Sequence, residues 1–100
     1  MARFLITYHG GKPPTDAAAA EKMKAAFGKW LHEAGAAVTD PGAPVRPAAS
    51  VSNGAAAASD EIGGYTIIEA PSPSDAVAVL KTHPFVARGG TLQVHEAIVI

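Results

Sequence analysis

Four histidines (His9, His32, His83 and His95) occur in a chain of 100 residues, and one arginine, Arg88, is followed directly by two glycines. An unperturbed imidazole titrates near pH 6.5, so a histidine beside a ligand can give or take a proton near neutrality. His9 closes an apolar run and precedes Gly10-Gly11, whose missing side chains let backbone approach a ligand. It is the first candidate for proton transfer. Arg88 could grip a carboxylate or phosphate with its planar fork, or serve as a loop or interface cation. His83 stands before Pro84; a catalytic role there competes with a capping role, in which an imidazolium meets the negative end of the preceding helix. His95 lies in the last apolar segment, and Tyr65 and Glu69 share one side of an earlier one. The candidate set is therefore His9 and His83 for catalysis, with Arg88, His95, Tyr65 and Glu69 for ligand binding. No two histidines have the close spacing of a metal motif, and Gly10-Gly11 lacks the lysine and hydroxyl of a phosphate loop, so no metal and no cofactor are expected.

The elements that must position these residues follow from pattern. Arg3 to His9 is a strand, with Phe4, Ile6 and Tyr8 on one face and Arg3, Leu5, Thr7 and His9 on the other. Leu5 on the second face implies that this face is also partly covered. After Lys12-Pro13-Pro14, Thr15 or Asp16 can cap a helix that ends at Gly35. Met23, Phe27, Trp30, Leu31 and Ala34 form its apolar stripe, with Trp30 in the core. Three prolines between Ala36 and Val51 limit that stretch to a short, broken edge strand. Asn53-Gly54 offers a turn, and the alanine-rich run after it reads as a connector. Gly64 to Ala70 is a strand. Ser72-Pro73 starts a helix that carries Ala76, Val77 and Leu80 inward and stops before Pro84, and Thr91 to Ile100 is the closing strand.

The order β-α-β-β-α-β, with right-handed crossovers, specifies an α+β ferredoxin-like sandwich: two helices on one face of a four-stranded antiparallel sheet. Residues 1–100 form a single domain. The hydrophobic fraction is 48%, yet 22 residues are alanine, so the apolar area available for burial is small. A second copy covering the bare sheet face would supply what is missing, and a homodimer is expected. The net charge is −1 with no basic run, which excludes a nucleic-acid face. The absence of cysteine excludes thiolate chemistry. No segment has the length of a membrane span, so no membrane partner and a cytoplasmic location are expected.

The chain resembles the YCII-related domain family, in the branch related to DGPF proteins. The likeness rests on Tyr8-His9-Gly10-Gly11, on the strand from Gly63-Gly64-Tyr65 to Ala70, and on His83-Pro84-Phe85 running through Arg88-Gly89-Gly90 into Val94. It implies a dimeric α/β barrel, two sheets stacked face to face, with a cleft. Members are mostly of unknown function; some act on small aromatic molecules, and DGPF-type domains are linked to sigma-factor-like regulators. This chain departs from the family at informative positions. Ala58-Ser59-Asp60-Glu61 stands on the approach to an absent Asp-Gly-Pro-Phe signature. His83 stands where the acidic member of the family's dyad is expected, and Gln93-Val94-His95-Glu96 replaces a common Glu-Val-Arg-Pro.

Connectivity brings His9, Gly63-Gly64-Tyr65, His83 and Arg88-Gly89-Gly90 to one end of the sheet. The expected function is binding of a small, aromatic or anionic molecule of unknown identity at a polar rim of the dimer barrel. It is joined to lyase- or isomerase-type chemistry with His9 moving the proton. The alternative is a non-catalytic module that senses a ligand or contacts a partner protein.

Overall fold

The computed structural model describes residues 1–100. Strand β1 (Ala2–Gly10) is followed by helix α1 (Ala17–Ala34), a 3-10 turn (Gly35–Ala37), β2 (Val38–Pro44), β3 (Gly64–Ala70), α2 (Pro73–Leu80), the short helix α3 (Pro84–Ala87) and β4 (Gly90–Glu96). The four strands form one antiparallel sheet in the order β2-β3-β1-β4. This is the ferredoxin-like α+β arrangement.

Local chemistry sets the element ends. Asp16 caps α1, its carboxylate accepting the Ala19 N–H at 2.7 Å. Gly35 ends the helix at φ 57°, in the left-handed region that glycine enters without cost. Ser72 caps α2: its hydroxyl accepts the Asp75 N–H at 3.2 Å and donates to the Asp75 carboxylate at 2.7 Å, with Pro73 in the first turn. The edge strand β2 is irregular as its prolines require, with register shifts on both sides of Asp40. Gly42 turns back at φ 73°, and a Cβ there would lie 1.7 Å from the Tyr65 carbonyl oxygen. No side chain fits at that position.

The core lies between the sheet and the helices. Phe4, Ile6, Ile68 and Ala70 from the sheet meet Trp30 of α1 and Ala76 and Leu80 of α2. Trp30 is 2% exposed and its indole N–H donates to the Val79 carbonyl at 3.1 Å, tying the two long helices together. Three details differ from the sequence reading. Val77 is 43% exposed rather than inward, because a helix of eight residues presents only Ala76 and Leu80 squarely to the sheet. Pro84 does not merely end the chain's helical run; it begins α3. The last strand ends at Glu96, leaving Ile98, Val99 and Ile100 exposed.

The other sheet face carries no helix. Leu5 on it is 41% exposed, so its partial cover is not provided within one copy.

Candidate functional site

A cavity of about 490 Å³ opens where the end of β1 and the start of β3 meet α1 and α3. Tyr8 reaches it because even-numbered residues of β1 face the helices; Phe4 and Ile6 precede it in the core. Phe27 and Met23 of α1 line one side, Pro41 to Pro44 and Gly63 to Tyr65 another, and His83, Phe85 and Arg88 a third. Two lining residues, Lys12 and Arg88, are cations, and none is an aspartate or glutamate.

Within the wall runs a hydrogen-bond chain whose direction can be assigned. The Pro41 carbonyl can only accept, so the Thr66 hydroxyl donates to it at 2.9 Å. Thr66 Oγ1 therefore receives the Tyr8 phenol proton, at 2.7 Å. With that proton committed, His83 Nε2–H donates to Tyr8 Oη at 2.8 Å. The Phe85 backbone N–H, at 3.0 Å, requires the remaining lone pair on His83 Nδ1. His83 is thus the neutral Nε2–H tautomer and the N-cap of α3. It is 2% exposed and surrounded by Tyr8, Phe27 and Trp30, with ring centroids 5.2, 5.6 and 4.4 Å away.

Burial lowers the His83 pKa to about 4, and the Arg88 cation adds to the fall. This corrects the expectation of an imidazolium at the end of the preceding helix: the ring caps the next helix with a lone pair, which only the neutral form possesses. Burial also pushes the Tyr8 phenol up, against smaller opposing effects of the Thr66 hydrogen bond and the Arg88 charge.

Arg88 follows α3, its guanidinium 5.5 Å from the centroid of the Phe85 ring. Its Nε is buried without a hydrogen-bond partner. Phe85 is held from two sides by glycines. A Cβ at Gly11 or Gly90 would approach its ring to 2.8 or 2.3 Å, so both positions must be glycine for the ring to stand where Arg88 rests on it.

The remaining candidates are distributed by the pleat. Tyr65 lines the cavity with Gly63 and Gly64. Glu69 stands opposite Arg3 in the strand register at the far end of β3 and does not line the cavity. His9 and His95 lie on the open sheet face, where both Nε2 atoms approach Thr7 Oγ1, at 2.7 and 3.0 Å. The residues expected at one rim do gather at one end of the sheet, but on two faces. Four residues of the site were missing from the sequence-based set: Tyr8, Thr66, Lys12 and Phe85. The available signal was alternation, since a tyrosine and a threonine at core-facing positions of two strands must find partners for their hydroxyls.

No family model matches the chain, and no curated protein matches it. Among solved structures it is similar to 5-chloro-2-hydroxyhydroquinone dehydrochlorinase from Burkholderia phenoliruptrix AC1100, in complex with 2,5-dihydroxybenzoquinone. The TM-score is 0.60 at 22% identity, over 96% of this chain and 93% of that one. At that identity the likeness establishes the shared fold.

Proposed function

We propose that this protein, as a YCII-related domain, binds a small organic anion with an apolar, aromatic body in the cavity between the sheet and helices α1 and α3. The observation that carries this reading is the charge of the cavity lining, which holds two cations, Lys12 and Arg88, and no carboxylate. A carboxylate or phenolate there meets both cations without a competing carboxylate, and hydrogen bonds to charged groups contribute about 1.5–3 kcal/mol each. Phe27, Phe85, Met23 and the prolines accept the apolar body, in a volume within the range of small-ligand sites.

Of the two function classes, binding without turnover fits this geometry better. His83 offers no free lone pair to abstract a proton, because one nitrogen donates to Tyr8 and the other accepts from Phe85. Lyase or isomerase chemistry draws support from the fold neighbour, named as a dehydrochlorinase. With His9 as the proton carrier it requires a substrate on the open sheet face, where a second copy would complete the site. Only eleven of 100 residues are buried in the single copy, which supports pairing through that face.

The test is calorimetric titration and thermal shift with benzoate, salicylate and 2,5-dihydroxybenzoquinone, for wild type, Arg88→Ala and Lys12→Ala. The reading requires that an aromatic anion bind and raise Tm, and that Arg88→Ala lose at least tenfold in affinity while folding normally. Equal affinity in Arg88→Ala would refute it. Consumption of the probe during the titration would move the function to the enzyme class.

A further inference from the structure

The open sheet face carries a second cluster, separate from the cavity. Its hydrogen bonds also have one consistent direction. The Glu61 carbonyl accepts from His9 Nδ1–H at 3.1 Å, so His9 Nε2 holds a lone pair and accepts the Thr7 hydroxyl proton at 2.7 Å. Thr7 Oγ1 in turn accepts from His95 Nε2–H at 3.0 Å. Two imidazole nitrogens from neighbouring strands therefore converge on one oxygen, and one of them already presents its lone pair there. Thr7 is 3% exposed, while His95 is exposed at the surface.

We infer that Thr7, His9 and His95 form a binding site for a late first-row divalent cation, Cu2+ before Zn2+. Three observations carry it. The two Nε2 atoms aim at a common point, so little side-chain ordering remains to be done on binding. His9 has the outer-shell bond that ligating histidines use, its other ring N–H held by a backbone carbonyl, which fixes the tautomer and the ring orientation. His95 Nδ1 makes no hydrogen bond, so its ring proton can move there and release Nε2 as a ligand. The metal would sit about 2.0–2.1 Å from each Nε2, with the Thr7 oxygen beside it as a weak third donor.

The donor set selects the metal class. Imidazole suits copper, nickel and zinc rather than magnesium or calcium, and affinity rises along the row to Cu2+. No third histidine, cysteine or carboxylate joins the pair, so the site keeps positions open to water or an external ligand. Its coordination sphere is open, unlike that of a closed structural site. In the paired form proposed above it lies between the two sheets, and stoichiometry is read per chain.

The experiment is titration of the metal-free full chain with CuCl2 and ZnCl2 by calorimetry, with electron paramagnetic resonance of the copper form. The expected result is one Cu2+ per chain, tighter than Zn2+, with nitrogen hyperfine structure from two imidazoles and no response to Mg2+. His95→Ala, at an exposed position that leaves the fold intact, should weaken Cu2+ at least tenfold and leave one coupled imidazole. His9→Ala should weaken it as much, and His32→Ala should change nothing. Copper binding that is unaltered in His95→Ala, or a wild-type spectrum without two equivalent nitrogens, overturns the assignment. So does a loss confined to His32→Ala.

Discussion

Replacing His83 with asparagine should flatten the acid side of the stability profile. In the folded chain His83 titrates at about 4, against 6.5 for the exposed ring. The unfolded state therefore takes up its proton at a higher pH than the folded state does. The sign follows: the contribution is fully present above pH 6.5 and is lost as pH falls from 6.5 towards 4. Below that both states are protonated and the deficit is constant. At 1.36 kcal/mol for each pH unit between the two values, the loss is about 3 kcal/mol, a large share of the roughly 5–15 kcal/mol that holds a small domain together. Asparagine retains an N-cap acceptor for the Phe85 N–H but does not titrate. The smaller side chain costs some stability at every pH, so the informative quantity is the difference between the two profiles. Urea unfolding from pH 4 to 8 at constant ionic strength measures it. The gap between wild type and His83→Asn should narrow by about 3 kcal/mol on acidification. A gap constant across that range would refute both the neutral tautomer and the burial that enforces it.

Other consequences can be checked with similar means. An anion seated against Arg88 offsets the cation that helps depress His83, so salicylate binding below pH 6 should be accompanied by proton uptake, visible as a buffer-dependent calorimetric enthalpy. Thr66→Val leaves the Tyr8 proton and the Pro41 carbonyl without their shared partner, and should cost about 1–3 kcal/mol by urea unfolding. Trp30→Ala removes the largest core ring and its bond to Val79, and should cost about 3–5 kcal/mol, with the Tm as readout. Gly90→Ala places a methyl against Phe85 and should weaken aromatic-anion binding more than it lowers Tm, because the displaced ring is the one under Arg88.

The framework was legible because its signals are local. Ser72-Pro73, Gly35 and the alternation from Phe4 to Tyr8 each act within a few residues, and they place three of the four strands and both long helices. Helix α3 was not legible: Pro84 reads equally as a stop or as a first-turn residue, and a histidine seldom serves as the cap before it. The site was half legible. Connectivity brings the candidate residues of the rim to one end of the sheet, but the pleat decides which side each takes, and Tyr8 and His9, adjacent in sequence, end on opposite faces. The role of Tyr8 depended on Thr66 and His83, whose separation from it in sequence hides the contact.

The clasp at the base of the long connector has a practical consequence. Val45 N–H donates to the Gly63 carbonyl at 3.1 Å, and Gly63 N–H to the Tyr8 carbonyl at 2.8 Å, so the chain leaves and re-enters the sheet at almost one point. Everything between is exposed and free of helix or strand. Doubling the length of such a loop costs only about 0.6 kcal/mol, so the segment can accept a guest domain at little expense to the host. Because Pro44 and Gly63 also line the cavity, a fluorescent protein grafted there would share its hinges with the cavity wall. On the proposed function, the domain would offer a scaffold for an optical reporter of small aromatic acids.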